Sequence, residues 1–352
     1  MNMKSKFTYT LGFLFIALLN LSAQKNLNSV TGIVLDNATY EPLPNVNIYI
    51  SNTTWGTATQ LDGSFILKDI IPGNHEIVFS MIGYETQAQL LKITDSSNAH
   101  LNIRLIPKIY KISDITITAD RPEEWYDDLE VFEKKFLGYS PYKINCKIIN
   151  PYVINFSHPY SSILMAESEY PIEIINYDLG YKISCEINEF KYDETQGKLN
   201  YTYRLFYTEL DTSDIEVKED WENNRIIKYK ESLAYFVRAL IKGNFREEGY
   251  DLALVYKPGR EGLDILDSKK IIKKMDSAKN YKIEFQDYLR VNNQNIKFDN
   301  MQTSWIQLNY PCITLDEYGY PLEKNAVTLL GYWSELGVAN FLPKYYGFEK
   351  TD

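Results

Sequence analysis

From Ser29 to Thr118 apolar and polar residues change places every few positions, and no stretch keeps a helical period. The runs rich in apolar and β-branched residues are Val30 to Leu35, Val46 to Ile50, Thr57 to Thr59, Ser64 to Leu67, Glu76 to Met81, Gln87 to Ile93, Leu101 to Leu105 and Ile115 to Thr118. Runs of roughly four to eight residues at this spacing predict an antiparallel sandwich or barrel, since each strand buries one face and then needs a turn. The punctuation agrees. Glu41-Pro42-Leu43-Pro44-Asn45, Asp62-Gly63, Pro72-Gly73-Asn74 and Ile82-Gly83-Tyr84 supply residues that impose or tolerate turn dihedrals. Asp62-Gly63 is the clearest tight turn, because a short hairpin loop wants positive φ at its centre.

The pattern changes at Asp120. Arg121-Pro122-Glu123-Glu124-Trp125 reads as a helix entry, with proline in the first turn and acids at the positive end of the peptide dipoles. Trp125, Leu129, Phe132, Phe136 and Leu137 then recur at helical spacing, so this helix is expected to lie against a sheet. Strand patterns follow at Lys143 to Ile149, Tyr152 to Phe156, Ile172 to Ile175, Tyr181 to Phe190 and Leu199 to Leu210. The last two flank the polar link Asp193-Glu194-Thr195-Gln196-Gly197 and predict a long hairpin. A second helix is expected from Glu219 to Lys242, with Tyr229, Leu233, Phe236, Val237, Leu240 and Ile241 on one face and Gly243 as its stop. Strand patterns resume at Leu252 to Tyr256, Tyr281 to Arg290, Ile296 to Leu308, Cys312 to Leu315 and Val327 to Tyr332. The reading for residues 120–352 is an α+β domain rich in antiparallel strands with two main helices.

The first two dozen residues change the picture of location. Lys4 and Lys6 precede the apolar run Leu11 to Leu19, and the small residues Ser22 and Ala23 stand before Gln24. A basic head, a short apolar run and a small-residue exit are what a secretory signal peptide requires, and the run is short for a bilayer crossing. Residues 1–23 are therefore expected to be a signal removed after Ala23, leaving no transmembrane span. The first cysteine is Cys146, so a lipid-bearing cysteine at the new amino terminus is not expected. Periplasmic or secreted location follows, with outer-membrane association through a partner as a variant of it.

Several separate strings carry a resemblance. Val30-Thr31-Gly32-Ile33-Val34, Pro42-Leu43-Pro44-Asn45-Val46-Asn47-Ile48, Gly56-Thr57-Ala58-Thr59, Asp62-Gly63-Ser64-Phe65 and Ile82-Gly83-Tyr84, in that order, resemble the carboxypeptidase-regulatory-like domain. The resemblance implies a transthyretin-like (prealbumin-like) sandwich of seven strands over residues 28–119, with Ile115-Thr116-Ile117-Thr118-Ala119 similar to its closing strand. It implies an accessory module. Gln60 stands where the family usually has an acid, so an interaction that acid would support is not carried over. Residues 120–352 are similar to the uncharacterised region that follows such sandwiches in short exported proteins of Gram-negative bacteria, which brings no reaction with it.

The chemistry the domain's name suggests is missing. Zinc hydrolysis of the carboxypeptidase kind needs a His and a Glu three apart plus a second His. The histidines are His75, His100 and His158, followed three residues later by Val78, Ile103 and Ser161. Gly-x-Ser-x-Gly is absent, and Ser157-His158 are neighbours on a strand, whose side chains point to opposite faces. No phosphate loop, dinucleotide fingerprint or calcium loop occurs, and no cofactor, metal or catalytic residue is assigned. Paired carboxylates remain as candidates: Glu167 with Glu169, Glu186 with Glu189 beside Asn188, and Asp316 with Glu317. A formal charge of −10 argues against nucleic acid and anionic lipid.

Two features stay open at this level. Cys146, Cys185 and Cys312 allow at most one internal bridge; Cys146 with Cys185 is the pairing favoured, and three buried thiols are the alternative. Among 29 tyrosines, Tyr201, Tyr203 and Tyr207 alternate on one face of a strand, as a core row or as an exposed platform. The leading reading is an exported, non-catalytic binding protein of the cell envelope, with an envelope protein or a glycan as partner. Its rival is a glycan- or peptide-directed hydrolase with a carboxylate site in the second domain. A TonB-dependent transporter is set aside, because about 230 residues after the sandwich cannot supply a barrel of roughly 22 strands.

Overall fold

The computed structural model describes residues 28–94, 98–108, 121–138, 145–275, 279–297 and 302–347. The signal segment and the closing strand expected at Ile115 to Thr118 lie outside the described residues. The chain is mostly β, a sandwich followed by an α+β region.

Seven strands build the sandwich: β1 (Asn28–Asp36), β2 (Asn47–Ile50), β3 (Gly56–Ala58), β4 (Ser64–Ile70), β5 (Gly73–Ser80), β6 (Gln87–Ile93) and β7 (Asn98–Leu105). They form a three-stranded sheet in the order β4-β1-β7 and a four-stranded sheet in the order β3-β2-β5-β6. Strict alternation along β1, buried at Val30 and Val34, sets one apolar face against Ile48, Ile77 and Phe79 of the other sheet. One expectation fails here. β1 and β7 run parallel, from Ser29 opposite Asn98 to Asp36 opposite Leu105, so the sandwich is not purely antiparallel. First and last strands share no hairpin, and nothing local fixes their relative direction.

The α+β region starts with α1 (Glu123–Phe136), entered at Pro122, which has extended backbone, with Glu123 and Glu124 in the first turn. Trp125, Phe132 and Phe136 are its buried face. They pack on a six-stranded sheet made of β8 (Cys146–Ile148), β9 (Ile154–Tyr160), β10 (Ile163–Ser168), β11 (Ile172–Asn176), β12 (Tyr181–Asp193) and β13 (Lys198–Glu209). The order is β8-β11-β12-β10-β9, with β13 along the other edge of β12. Burial of three such aromatics stabilises by about 1.5–3 kcal/mol each relative to exposure. Phe132 lies 4.7 Å from Phe190, and the Trp125 indole donates to Ile154 O at 3.0 Å.

The single long second helix is instead two. α2 (Ile215–Glu231) is capped by Asp214, whose side chain accepts from the amides of Glu216 and Val217. Ser232 is extended (φ −78, ψ 153), and its hydroxyl accepts from Tyr235 N to start α3 (Leu233–Lys242). A serine that caps the next helix breaks the chain direction although the apolar period runs on through it. Gly243 is left-handed at φ 78 and ends α3 as expected.

Strands β14 (Tyr250–Val255), β15 (Leu263–Ile265), β16 (Ile272–Lys274), β17 (Tyr281–Ile283), β18 (Tyr288–Asn293), β19 (Thr303–Leu308), β20 (Ile313–Leu315) and β21 (Val327–Gly331) follow, then the short α4 (Tyr332–Glu335). They make a five-stranded sheet, β15-β14-β18-β19-β21, and a three-stranded one, β16-β17-β20. The strand expected over Tyr281 to Arg290 is split, with Asp287 at φ 57 between β17 and β18. α3 covers these sheets through Phe236, Val237 and Leu240.

The sandwich docks directly on β13. Asn52 N donates to Leu205 O (2.6 Å), Tyr207 N donates to Thr53 O (3.0 Å), and Thr53 bridges Phe206 in parallel fashion. Arg204 forks onto both carboxylate oxygens of Glu76 at 3.1 and 3.2 Å, a bidentate geometry that fixes orientation. Ser80 and Thr86 both donate to Glu186 at 2.9 Å. Gly56 is required at this seam, since a Cβ there would sit 2.6 Å from the Phe206 ring.

Candidate functional site

The carboxylate pairs picked from sequence do not converge. Glu167 and Glu169 are both exposed. Glu186 holds the sandwich through Ser80 and Thr86, while Asn188 accepts from Arg204. Asp316 is buried in a turn, accepting from the amides of Tyr318 and Tyr320, and its neighbour Glu317 pairs with Lys279 at 3.4 Å. Burial raises the Asp316 carboxyl, against the hydrogen bonds that lower it.

The histidines are equally dispersed. His75 is 1% exposed between Trp55 and Tyr345, with Nε2 on Ile71 O at 2.8 Å, and burial holds its pKa down to about 4. His100 lies on β7 beside Thr31. His158, on β9, takes Asp128 of α1 at 2.9 Å and ties the helix to the sheet edge. Among the described residues no group of three or more His, Cys, Asp or Glu is placed to hold a metal ion.

The favoured disulfide is corrected. Cys146 and Cys185 are free thiols. Cys146 stands opposite Asn176 and Cys185 opposite Ile172, on the two flanks of β11. Four residues along and two strand spacings across separate them by more than 10 Å, beyond roughly 7 Å between Cα atoms that a bridge spans. Burial pushes the Cys146 thiol up to about 12 and raises Cys185 as well.

The tyrosine row divides. Tyr207 is 1% exposed in the core under the six-stranded sheet. Tyr201 and Tyr203 are stacked at 5.3 Å and half-buried; Tyr203 stacks on Phe341 and Tyr201 donates to Leu336 O at 3.4 Å. Both border the feature that best qualifies as a site, a cleft of about 970 Å³.

The cleft runs between β13, β21, α3 and the segment after α4. Along β13 it touches Leu199, Tyr201, Thr202, Tyr203, Leu205 and Tyr207, and along β21 Val327, Thr328 and Leu329. Consecutive strand residues face opposite sides of a sheet, so the cleft lies against the face of β13 that carries the tyrosines and, by also meeting Thr202, reaches round the strand's edge. Among the described residues β13 pairs only β12 and the short Asn52-Thr53 segment, and β21 pairs only β19.

Its charged lining is Lys228, Glu231, Arg238 and Lys344. Glu231 is 2% exposed and accepts from Lys228 (3.1 Å) and the Tyr332 hydroxyl (2.9 Å). Arg238 donates to Tyr346 O (2.8 Å), Tyr318 O (3.3 Å) and the hydroxyls of Tyr229 (2.5 Å) and Tyr320 (3.3 Å). The Lys344 ammonium lies 4.5 Å from the Tyr320 ring centroid and 4.8 Å from that of Tyr345, and among the described residues no carboxylate or hydrogen-bond acceptor is paired with it. Burial lowers its pKa, with Asp316 acting the other way. Arg238 had a readable signal, a charge inside the apolar stretch Phe236 to Leu240; Lys344 had none.

Comparison with known proteins bears on the sandwich. The family model described as CarboxypepD_reg-like domain matches residues 30–117, and that segment is a domain of this type. The TonB-dependent receptor P39 of Formosa agariphila shares it, at 35% identity over 85 residues, which is 23% of this chain and 8% of that receptor. Among solved structures, the pilus 2b backbone protein of group B streptococcus is 13% identical with a TM-score of 0.20, covering 22% of this chain and 40% of that one. A type II cohesin-X-dockerin complex of Acetivibrio cellulolyticus is 19% identical with a TM-score of 0.21, covering 32% and 76%. The chain thus spans a small fraction of the receptor it matches. No helix among the described residues is long and apolar enough to cross a membrane.

Proposed function

We propose that this is an exported, non-catalytic binding protein of the cell envelope, in which residues 28–119 are an accessory sandwich and residues 120–352 carry the binding site. The cleft between β13 and β21 is that site. One observation carries the reading: a cleft of about 970 Å³ is lined mainly by aliphatic and aromatic side chains, and the single acid among its described lining residues, Glu231, is already engaged by Lys228 and Tyr332. Apolar concavity with a few fixed polar groups suits recognition. A hydrolase built on two carboxylates would need a second acid facing the first across the same space, and among the described residues the lining offers none. A partner protein or a glycan fits an aromatic-rimmed cleft of this kind.

The test is capture from an envelope extract with the chain from Gln24 onward as bait, compared with a double variant Thr202→Trp, Thr328→Trp. Both threonines are exposed in the cleft wall, so the variant keeps the fold and fills the space. The expected result is a component retained by the wild type and lost by the variant at several salt concentrations. Equal capture by both would place binding elsewhere, and turnover of a glycan or peptide by the wild type, lost in the variant, would replace binding with catalysis.

A further inference from the structure

We infer that the cleft takes an extended, acidic segment of a partner protein, added as a strand to the free edge of β13. The inference rests on the cleft being the binding site and names what enters it.

The backbone sets the mode. Asn52 N donates to Leu205 O and Tyr207 N donates to Thr53 O, so Leu205 and Tyr207 turn their peptide groups away from β12. The irregularity in this pair is an extra residue on β12, between Ile187 and Glu189, and leaves the alternation of β13 unbroken. Tyr203, Tyr201 and Leu199 therefore present their N–H and C=O groups to the same outer side. Where the sandwich supplies Asn52 and Thr53, that edge is paired; beyond Leu205 it opens on the cleft. A sheet edge facing a half-buried space is satisfied by an incoming strand more completely than by side chains. The exposed stretch spans about 13 Å, enough for a segment of roughly five residues.

The walls and charges set the sequence of that segment. Leu336 and Phe341 on one side and Leu329 on the other favour apolar residues at alternate positions. The lining holds three cations, Lys228, Arg238 and Lys344, against one carboxylate, in a protein whose formal charge is −10. Lys228 is spent on Glu231, whereas the Lys344 ammonium, on which Asp316 acts from further off, rests on two tyrosine rings and among the described residues lacks a carboxylate at ion-pair distance. An Asp or Glu side chain on the incoming strand supplies it.

A displayed library of random nine-residue peptides, selected on the chain from Gln24 onward, tests this. Enriched peptides are expected to alternate apolar residues, to carry Asp or Glu, to lack proline, and to lose binding to the Thr202→Trp, Thr328→Trp variant. For one such synthetic peptide, methylation of alternate backbone nitrogens is expected to weaken binding about tenfold, as is changing its acid to the amide. Lys344→Met is expected to erase the preference for acid over amide, so that the two peptides bind the variant alike. Binding indifferent to backbone methylation would overturn strand addition even if the cleft still captures a partner. Enriched peptides that bind the double variant as well as the wild type would instead overturn the cleft as the site.

Discussion

At the scale of single residues, the buried polar groups are used to hold the chain together. His75 is the sharpest case. Its imidazole is kept neutral by burial, with pKa about 4 against an ordinary value of 6.5, while the unfolded chain takes up a proton near the ordinary value. Between those values the unfolded state binds more protons, so stability falls as pH is lowered from about 6.5 to about 4, by on the order of 3 kcal/mol. Urea midpoints at pH 7 and pH 4.5 should show this loss in the wild type. His75→Phe should lose less over the same interval, and an equal loss in both would show that another group titrates. The sequence placed His75 in the sandwich just before the strand pattern Glu76 to Met81, and β5 takes it in. It could not show Trp55 and Tyr345 closing over it, because Tyr345 comes from the far end of the chain.

Elements were legible where a local rule decides them. The turn at Asp62-Gly63, the entry at Pro122 and the stop at Gly243 follow from dihedral and dipole preferences that a few residues express. β10 was missed, since Met165, Ala166 and Glu167 are weak strand formers and the strand exists because it pairs with β9 and β12. The break at Ser232 was hidden by an apolar period continuing across it. The cap explains the break, and Ser232→Ala is expected to cost about 1 kcal/mol, read as a lower urea midpoint with unchanged slope. An unaltered midpoint would mean that packing of Phe236 and Leu240, rather than the hydroxyl, sets the start of α3.

At the scale of the whole molecule, the sandwich and the region after it share one seam, along β13. Sequence reading assigned both parts and left the relation between them blank, because Glu76 with Arg204 and Ser80 with Glu186 are contacts across more than a hundred positions. Along this seam the sandwich pairs one half of the β13 edge and leaves the other half facing the cleft. The tyrosine row follows the same division in burial: all three border the cleft, but Tyr207 under the paired half is core, and Tyr201 and Tyr203 under the open half are half-buried.

Amide hydrogen exchange along β13 tests that division most directly. The account predicts that Tyr207 N–H, bonded to Thr53, is protected in the free protein, that Leu199, Tyr201 and Tyr203 N–H exchange faster, and that a cleft-binding acidic peptide slows these outward-facing amides. Uniform protection along the strand without peptide, or no slowing at Tyr201 and Tyr203 when peptide is bound, would contradict it.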